Sequence, residues 1–283
     1  MAEPLIRDIS DTARWVAVYR ARETERPDAV FRDPFARALA GERGQRIADA
    51  MPFAEQASWS FVARTALVDR FIQHAVAGGA DLVLNLAAGL DTRPYRMDLP
   101  KTLRWIEVDL PEILDYKESI LGAAPPACAL ERVRLDLANH DARRGLFDRI
   151  GRSASNVVVV CEGLLGYLMP DEVCALGRDL AAQPTFRHWI VDLVSPGLLK
   201  MMMEHMGEMM KEAGAPLVFA PAEGPPFFER CGWTPGDVRS LLKAAFRLKR
   251  LPFKLRLFAL FPEANGPQGA RPWSGVLLLR RTV

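Results

Sequence analysis

The chain has 283 residues, 49% of them hydrophobic and 25% charged, a balance that provides for a substantial core and counts against a disordered, fibrous or membrane-spanning class. Its 37 Lys and Arg against 35 Asp and Glu give a formal charge of +2 with no basic run, so nucleic acid is not an expected partner. Cys128, Cys161, Cys174 and Cys231 stand far apart with no C-x-x-C pair, the pattern of reduced, mostly buried thiols rather than of a zinc ribbon, a redox site or a disulfide framework.

The opening stretch, MAEPLIRDISDTARW, carries charges where a secretory signal needs an apolar run, and no apolar stretch approaches the ~18 residues of a membrane span, so a cytoplasmic protein without a membrane partner is expected. From Asp11 to Ala40 apolar residues recur at helical spacing, broken at Pro27 and at Asp33-Pro34. A further helix is predicted from Phe53 to Ala77, ending at Gly78-Gly79. Residues 1–79 thus read as a helical N-terminal extension of a single domain that occupies residues 1–283.

The rhythm then changes to short apolar runs between helices, the pattern of a parallel sheet with covering helices. The predicted strands are Leu82–Leu86, Leu103–Val108, Leu130–Leu135, Asn156–Cys161 and Phe186–Leu193, with helices at Pro111–Leu121, Asp141–Ile150 and Asp171–Ala182. Right-handed crossovers make the sheet doubly wound. Six methionines crowd residues 201–210 on every face of a helix, so some must line a concave surface, and 196–226 is a candidate substrate lid. Beyond it, Thr234-Pro235-Gly236-Asp237 is expected to open a helix reaching Ala245. The alternation Lys254 to Phe258 reads as a strand, and Trp273–Leu279 as a terminal one.

The chemistry concentrates at strand ends. Leu82 to Leu86 runs into Ala87-Ala88-Gly89, where small residues let a ligand approach the backbone. Only Gly89 remains of the G-x-G-x-x-G that a dinucleotide would require. Asp109 follows Gly89 by 20 residues, the distance at which a βαβ unit brings an acid beside a ribose. Asp136 and Glu162 put acids after two further strands. Taken singly each is a turn residue or cap; together they point into one crevice. No Gly-rich phosphate cradle accompanies them, and acids repel phosphate, which counts against nucleoside triphosphates and nicotinamide dinucleotides. S-adenosylmethionine fits better. It has a sulfonium, an ammonium, a ribose diol and an adenine amine for carboxylates, plus one carboxylate for a cation, for which Arg64 is the candidate. His74, His140, His188 and His205 show no chelating spacing, so no metal is expected. Asp91 and Arg93 read as a pair that shapes the loop.

Several segments together resemble the leucine carboxyl methyltransferase-like family, in particular its bacterial branch related to the tetracenomycin carboxyl methyltransferase. They are Thr12-Ala13-Arg14-Trp15, Arg32-Asp33-Pro34-Phe35-Ala36, Ala63-Arg64-Thr65, Leu86-Ala87-Ala88-Gly89-Leu90-Asp91-Thr92-Arg93, Glu107-Val108-Asp109-Leu110-Pro111 and Glu162-Gly163-Leu164-Leu165-Gly166-Tyr167-Leu168. The resemblance is read as covering nearly the whole chain. It implies an α/β, doubly wound, mostly parallel seven-stranded sheet of the class I methyltransferase, Rossmann-like type, ending in an antiparallel pair. It also implies that Arg64 pairs with the methionyl carboxylate, that Gly89 beside Ala87 admits the cofactor, and that Asp109 with Leu110 holds the ribose. Asp136 and Leu137 would frame the adenine, and Glu162 would lie near the ammonium. Ala87 departs from the glycine found there in many methyltransferases, and its methyl is expected to weaken affinity without abolishing the motif.

The expected reaction is in-line O-methylation of a small-molecule carboxylate, which is already ionised near neutral pH and needs no base, with Tyr167 donating a hydrogen bond to it. A phenol or alcohol acceptor would need a base such as His205 or Glu204. A protein that binds S-adenosylmethionine without turnover is a further alternative. The acceptor and the oligomeric state are not legible.

Overall fold

The computed structural model describes residues 9–51, 54–212, 214–262, 267 and 269–282. Three helices lead the chain: α1 (Ile9–Thr24), α2 (Ala36–Ala50) and α3 (Ala54–Ala77). Phe53, the expected start of the third, lies outside the described residues. The alternating region follows as β1 (Leu82–Leu86), the short α4 (Arg93–Arg96), β2 (Arg104–Asp109), α5 (Pro111–Leu121), β3 (Ala129–Arg134), α6 (His140–Ser153), β4 (Val157–Cys161), α7 (Pro170–Ala181) and β5 (Phe186–Val194). Then come α8 (Pro196–Glu212), β6 (Trp233–Ser240), α9 (Leu241–Arg247) and β7 (Ser274–Arg281).

Local chemistry sets these boundaries. Proline occupies the first turn of α5 and α7, where its missing N–H costs nothing. The Asn139 side chain caps α6 by accepting from Ala142 N at 3.1 Å. Leu82 to Leu86 and Val157 to Cys161 are buried throughout, which is why, Asn85 apart, they are apolar runs in the middle of a two-sided layer.

The seven strands lie in the order β3-β2-β1-β4-β5-β7-β6, parallel except for β7, which runs antiparallel to both its neighbours. One apolar layer, including Phe147, Trp189, Phe228 and Trp233, fills the face covered by α6 and α7, and another, including Phe71, Ile72, Trp105 and Ala245, fills the face under α3 and α9. The order reverses between β1 and β4, and a crevice at that switch point opens at the carboxyl ends of the strands.

Three expectations need correction. Residues Thr234 to Asp237 belong to strand β6, and the helix begins only at Leu241, behind Ser240, whose hydroxyl caps Lys243 N. The Pro235-Gly236 pair that signals a helix start instead makes a shift in the pairing with β7, where an added Cβ on Gly236 would stand 3.0 Å from Leu278 O. Lys254 to Phe258 forms no strand but lies in a 3-10 helix, Phe253–Leu260, anchored by Ala259 and partly buried Leu255 and by Leu251 just before it. Finally, Cys174 on α7 and Cys231, at the end of a 3-10 helix (Pro225–Cys231), form a disulfide with Cα atoms 4.9 Å apart. They are 57 residues apart in sequence, so only the packing of the two elements brings them together. Cys128 and Cys161 are free and buried, and burial pushes the Cys161 thiol up to about 12.

Candidate functional site

Strand β1 ends in a turn of unusual backbone. Ala87 has φ +51° and Gly89 φ +49°, so the alanine occupies left-handed space that costs an L residue energy and a glycine almost nothing. The turn is pinned by the end of β2: Gly89 N donates to Asp109 Oδ2 at 2.6 Å, Leu110 N donates to Oδ1 at 2.8 Å, and Ala88 N donates to Val108 O. Burial raises the Asp109 carboxyl above its usual range against the pull of these two N–H groups.

Beyond the turn lies a chain of alternating charges. Arg96 and Arg93 both hold Asp69, Arg93 also reaches Asp91 and Glu162 at 2.8 Å, and Arg64 joins Glu162 to Asp192 at 3.0 Å each. Asp192 in turn accepts from Gly163 N at 2.7 Å and so fixes the loop after β4. Burial alone would raise Asp91 and Glu162. Arg93 in both cases, helped by Lys117 and Arg96 at Asp91 and by Arg64 at Glu162, holds them below the usual carboxylate range instead.

The crevice these groups line measures about 260 Å³. Its floor is Asn85, Ala87, Gly89, Asp109 and Glu162 from the strand ends. Thr12, Trp15 and Arg20 of α1 and Phe61 and Arg64 of α3 cover it, and Met202, Met206 and Met210 of α8 form an apolar wall. Those three methionines are spaced by four and share one helix face, whereas Met201 is exposed. Tyr167 lines the same space, its hydroxyl 3.4 Å from Thr12 Oγ1, and burial raises its pKa.

The structure therefore brings Arg64, Ala87, Gly89, Asp109, Glu162 and Tyr167 to one cavity. Leu110, Asp136 and Leu137 are not part of its wall. Leu110 packs among α1, α2 and α5, Leu137 packs on the sheet core, and exposed Asp136 spends Oδ1 on Ala138 N. His205 and Glu204 point to solvent, with His205 Nδ1 against Met201 O. Sequence reading passed over Asp192, although an acid at the end of the fifth apolar run obeys the same rule that identified Asp109 and Glu162. It also passed over Asn85, the one polar residue of β1, whose amide donates to Asp91 at 2.8 Å. No local signal marks Asp69, which acts only through its arginines.

A sequence model of the leucine carboxyl methyltransferase family matches residues 13–181, more than half of the chain. The match is narrower than the sequence reading supposed, since α8 and everything after it lie outside it. A candidate S-adenosyl-L-methionine-dependent methyltransferase of Streptomyces avermitilis is 38% identical over 181 residues, and another of Streptomyces coelicolor is 36% identical over 171. These alignments take in 61% and 57% of this chain, and they span 64% and 60% of the two relatives' own length. Among solved structures, a DUF574-family protein of Streptomyces avermitilis superposes with TM-score 0.60 at 14% identity, covering 95% of this chain and 97% of its own. A candidate methyltransferase of Thermobifida fusca superposes with TM-score 0.55 at 17% identity, covering 99% and 96%. At such identity the likeness is one of fold: the seven-stranded class I, Rossmann-like sheet.

Proposed function

The chain belongs to the leucine carboxyl methyltransferase family, and on that premise we propose that it transfers the methyl group of S-adenosylmethionine to a carboxylate oxygen of a small, largely apolar molecule. The observation that carries this reading is the composition of the crevice wall. It holds three cations, Arg20, Arg64 and Arg93, against four carboxylates, Asp91, Asp109, Glu162 and Asp192, which leaves one negative charge in excess. S-adenosylmethionine near neutral pH has a sulfonium and an ammonium against one carboxylate and so carries one positive charge. A nucleoside phosphate, itself an anion, would meet its own sign and be repelled.

The residues present fit that group in detail. Each Asp109 oxygen spends one lone pair on a backbone N–H and keeps another for a ribose hydroxyl. At Gly89 the missing Cβ keeps the turn open toward Ala13 of α1, which an added Cβ would approach to 3.4 Å. Arg64 uses Nε on Glu162 and Nη1 on Asp192, while Nη2 donates no hydrogen bond among the described residues and is the atom we assign to the methionyl carboxylate. Glu162 lies beside the ammonium. Asp136 and Leu137 stand at the end of β3 outside the crevice wall, and we assign them to an adenine that extends beyond it, with Asp136 Oδ2 without a partner among the described residues.

S-adenosylmethionine supplies an electrophilic methyl on a sulfonium; the chain's own residues supply orientation and a dry cavity. Tyr167, a neutral phenol whose one hydrogen is directed at Thr12 Oγ1 across 3.4 Å, turns that hydrogen to the acceptor carboxylate instead. Residues 196–226 serve as the lid, with Met202, Met206 and Met210 enclosing the apolar part of the acceptor. An ionised carboxylate needs no base, and His205 and Glu204, the candidate bases for an alcohol acceptor, are exposed and not part of the crevice wall. Calorimetry tests the cofactor assignment. One equivalent of S-adenosylmethionine or its demethylated product should bind and NAD should not; binding of NAD alone would overturn it.

A further inference from the structure

The overall charge of +2 conceals a local basic excess that the expectation of no basic run passed over: between Leu241 and Pro262 the sequence holds six cations and no acid. Arg250 is committed to Glu23 and Asp28, but Arg247, Lys249, Lys254 and Arg256 are exposed. Among them stand the most exposed large apolar side chains of the described residues: Phe253 at 82%, Leu257 and Leu260 at 68%, Phe261 at 62% and Phe258 at 57%. They do not belong to a loosely attached loop. Leu251, Leu255 and Ala259 seat the 3-10 helix in the core under α3 and α9 and so hold the opposite side of the segment outward. Phe246 of α9 adds to the same shallow concavity, which Lys254 and Arg256 also line.

A contiguous apolar patch of this kind marks a contact surface, and its charge selects the partner. In a symmetric pair the patch would face its own copy and bring the two sets of cations together. Nucleic acid would satisfy the cations but leave Leu257 and Leu260 without a base-stacking role. A bilayer containing anionic lipid satisfies both chemistries: leucine and phenylalanine enter the acyl boundary, while lysine and arginine meet headgroup phosphates. We propose that the Phe253–Leu260 segment docks the protein on an anionic membrane surface. At eight residues it is far shorter than the ~20 needed to cross, so it lies in the interface.

The test is flotation of the full chain on vesicles of equal parts phosphatidylcholine and phosphatidylglycerol, with pure phosphatidylcholine as the second arm. The chain should partition to the first and not the second, and added salt should release it. Lys254→Gln and Arg256→Gln should each lower partition by about fivefold. The Phe253→Ser/Leu257→Ser double variant should abolish it while leaving the circular dichroism spectrum and melting temperature unchanged, because both side chains are exposed. Failure to float on anionic vesicles overturns the proposal, as does equal partition to both kinds of vesicle. So does a dimer, seen by light scattering in the absence of lipid binding, that the double variant dissociates, since a second copy would then cover the patch.

Discussion

Ala87 is the residue at which sequence and backbone disagree most directly. Its φ of +51° costs an alanine about 1–2 kcal/mol, of which the greater freedom of glycine in the unfolded chain would return about 0.4–1 kcal/mol. Ala87→Gly should therefore raise unfolding stability by about 0.5–1 kcal/mol, measured by denaturant titration; an unchanged or lowered midpoint would mean that the turn is not strained. At Asp109 the sign is set by the raised pKa: the carboxylate takes up its proton at a higher pH than an ordinary aspartate. As pH falls, S-adenosylmethionine affinity should weaken while most carboxylates are still ionised, and Asp109→Asn should flatten that profile and cost about 1.5–3 kcal/mol of binding. Arg64 joins Glu162 to Asp192, and we assign it the methionyl carboxylate as well. Arg64→Ala leaves Glu162 and Asp192 each short of a cation in a site where they are 15% and 18% exposed, so about 3–5 kcal/mol of stability should be lost. Arg64→Lys keeps the charge without the planar fork, and in a chain that still folds it should weaken S-adenosylmethionine far more than adenosine, which has no carboxylate. Equal weakening of both would remove Arg64 from the ligand.

At the scale of elements, α8 separates its methionines into faces. Met206 reaches the crevice while Met201 is 44% exposed, so Met206→Lys should raise the KM for an apolar acceptor and leave the cofactor Kd unchanged, and Met201→Lys should change neither. Equal effects of the two would make the helix a structural strut rather than a wall. The same element shows how far sequence reading carries. Six methionines in one stretch announce that some face must be concave, but which three line the cavity depends on how the helix is rotated against the other crevice-lining residues, Leu217 and Phe219 among them. β1 and β4 were legible because burial on both faces leaves a run that is apolar but for Asn85, and β5 because its middle, Trp189 to Val191, is buried on both faces. β6 was not: it is an edge strand with the proline, glycine and aspartate of a turn, and it becomes a strand only because β7 lies beside it. The Lys254 to Phe258 alternation was misleading for the converse reason. It has the period of a strand but no neighbour to pair with, and its second apolar set faces outward.

Over the whole molecule, the layout was readable because it follows from chirality and burial, and the crevice because ligands gather at the switch point of such a sheet. What the chain did not reveal is pairing through space: the Cys174–Cys231 disulfide and the Asp69 and Asp192 partners of three arginines all join residues far apart in sequence. The family match ends at residue 181, before the methionine helix α8 that lines the crevice and that we propose walls the acceptor, so identity of the acceptor must come from chemistry done on this protein. The most direct test supplies methyl-labelled S-adenosylmethionine with a panel of aliphatic and aromatic carboxylic acids and with phenols of matching shape, and follows label into product. The account predicts label on the carboxylic acids, released by mild alkali as methanol as an ester requires, with Tyr167→Phe slowing the transfer. Label found only on phenols in alkali-stable ethers, or no transfer to any acceptor despite stoichiometric cofactor binding, would contradict it.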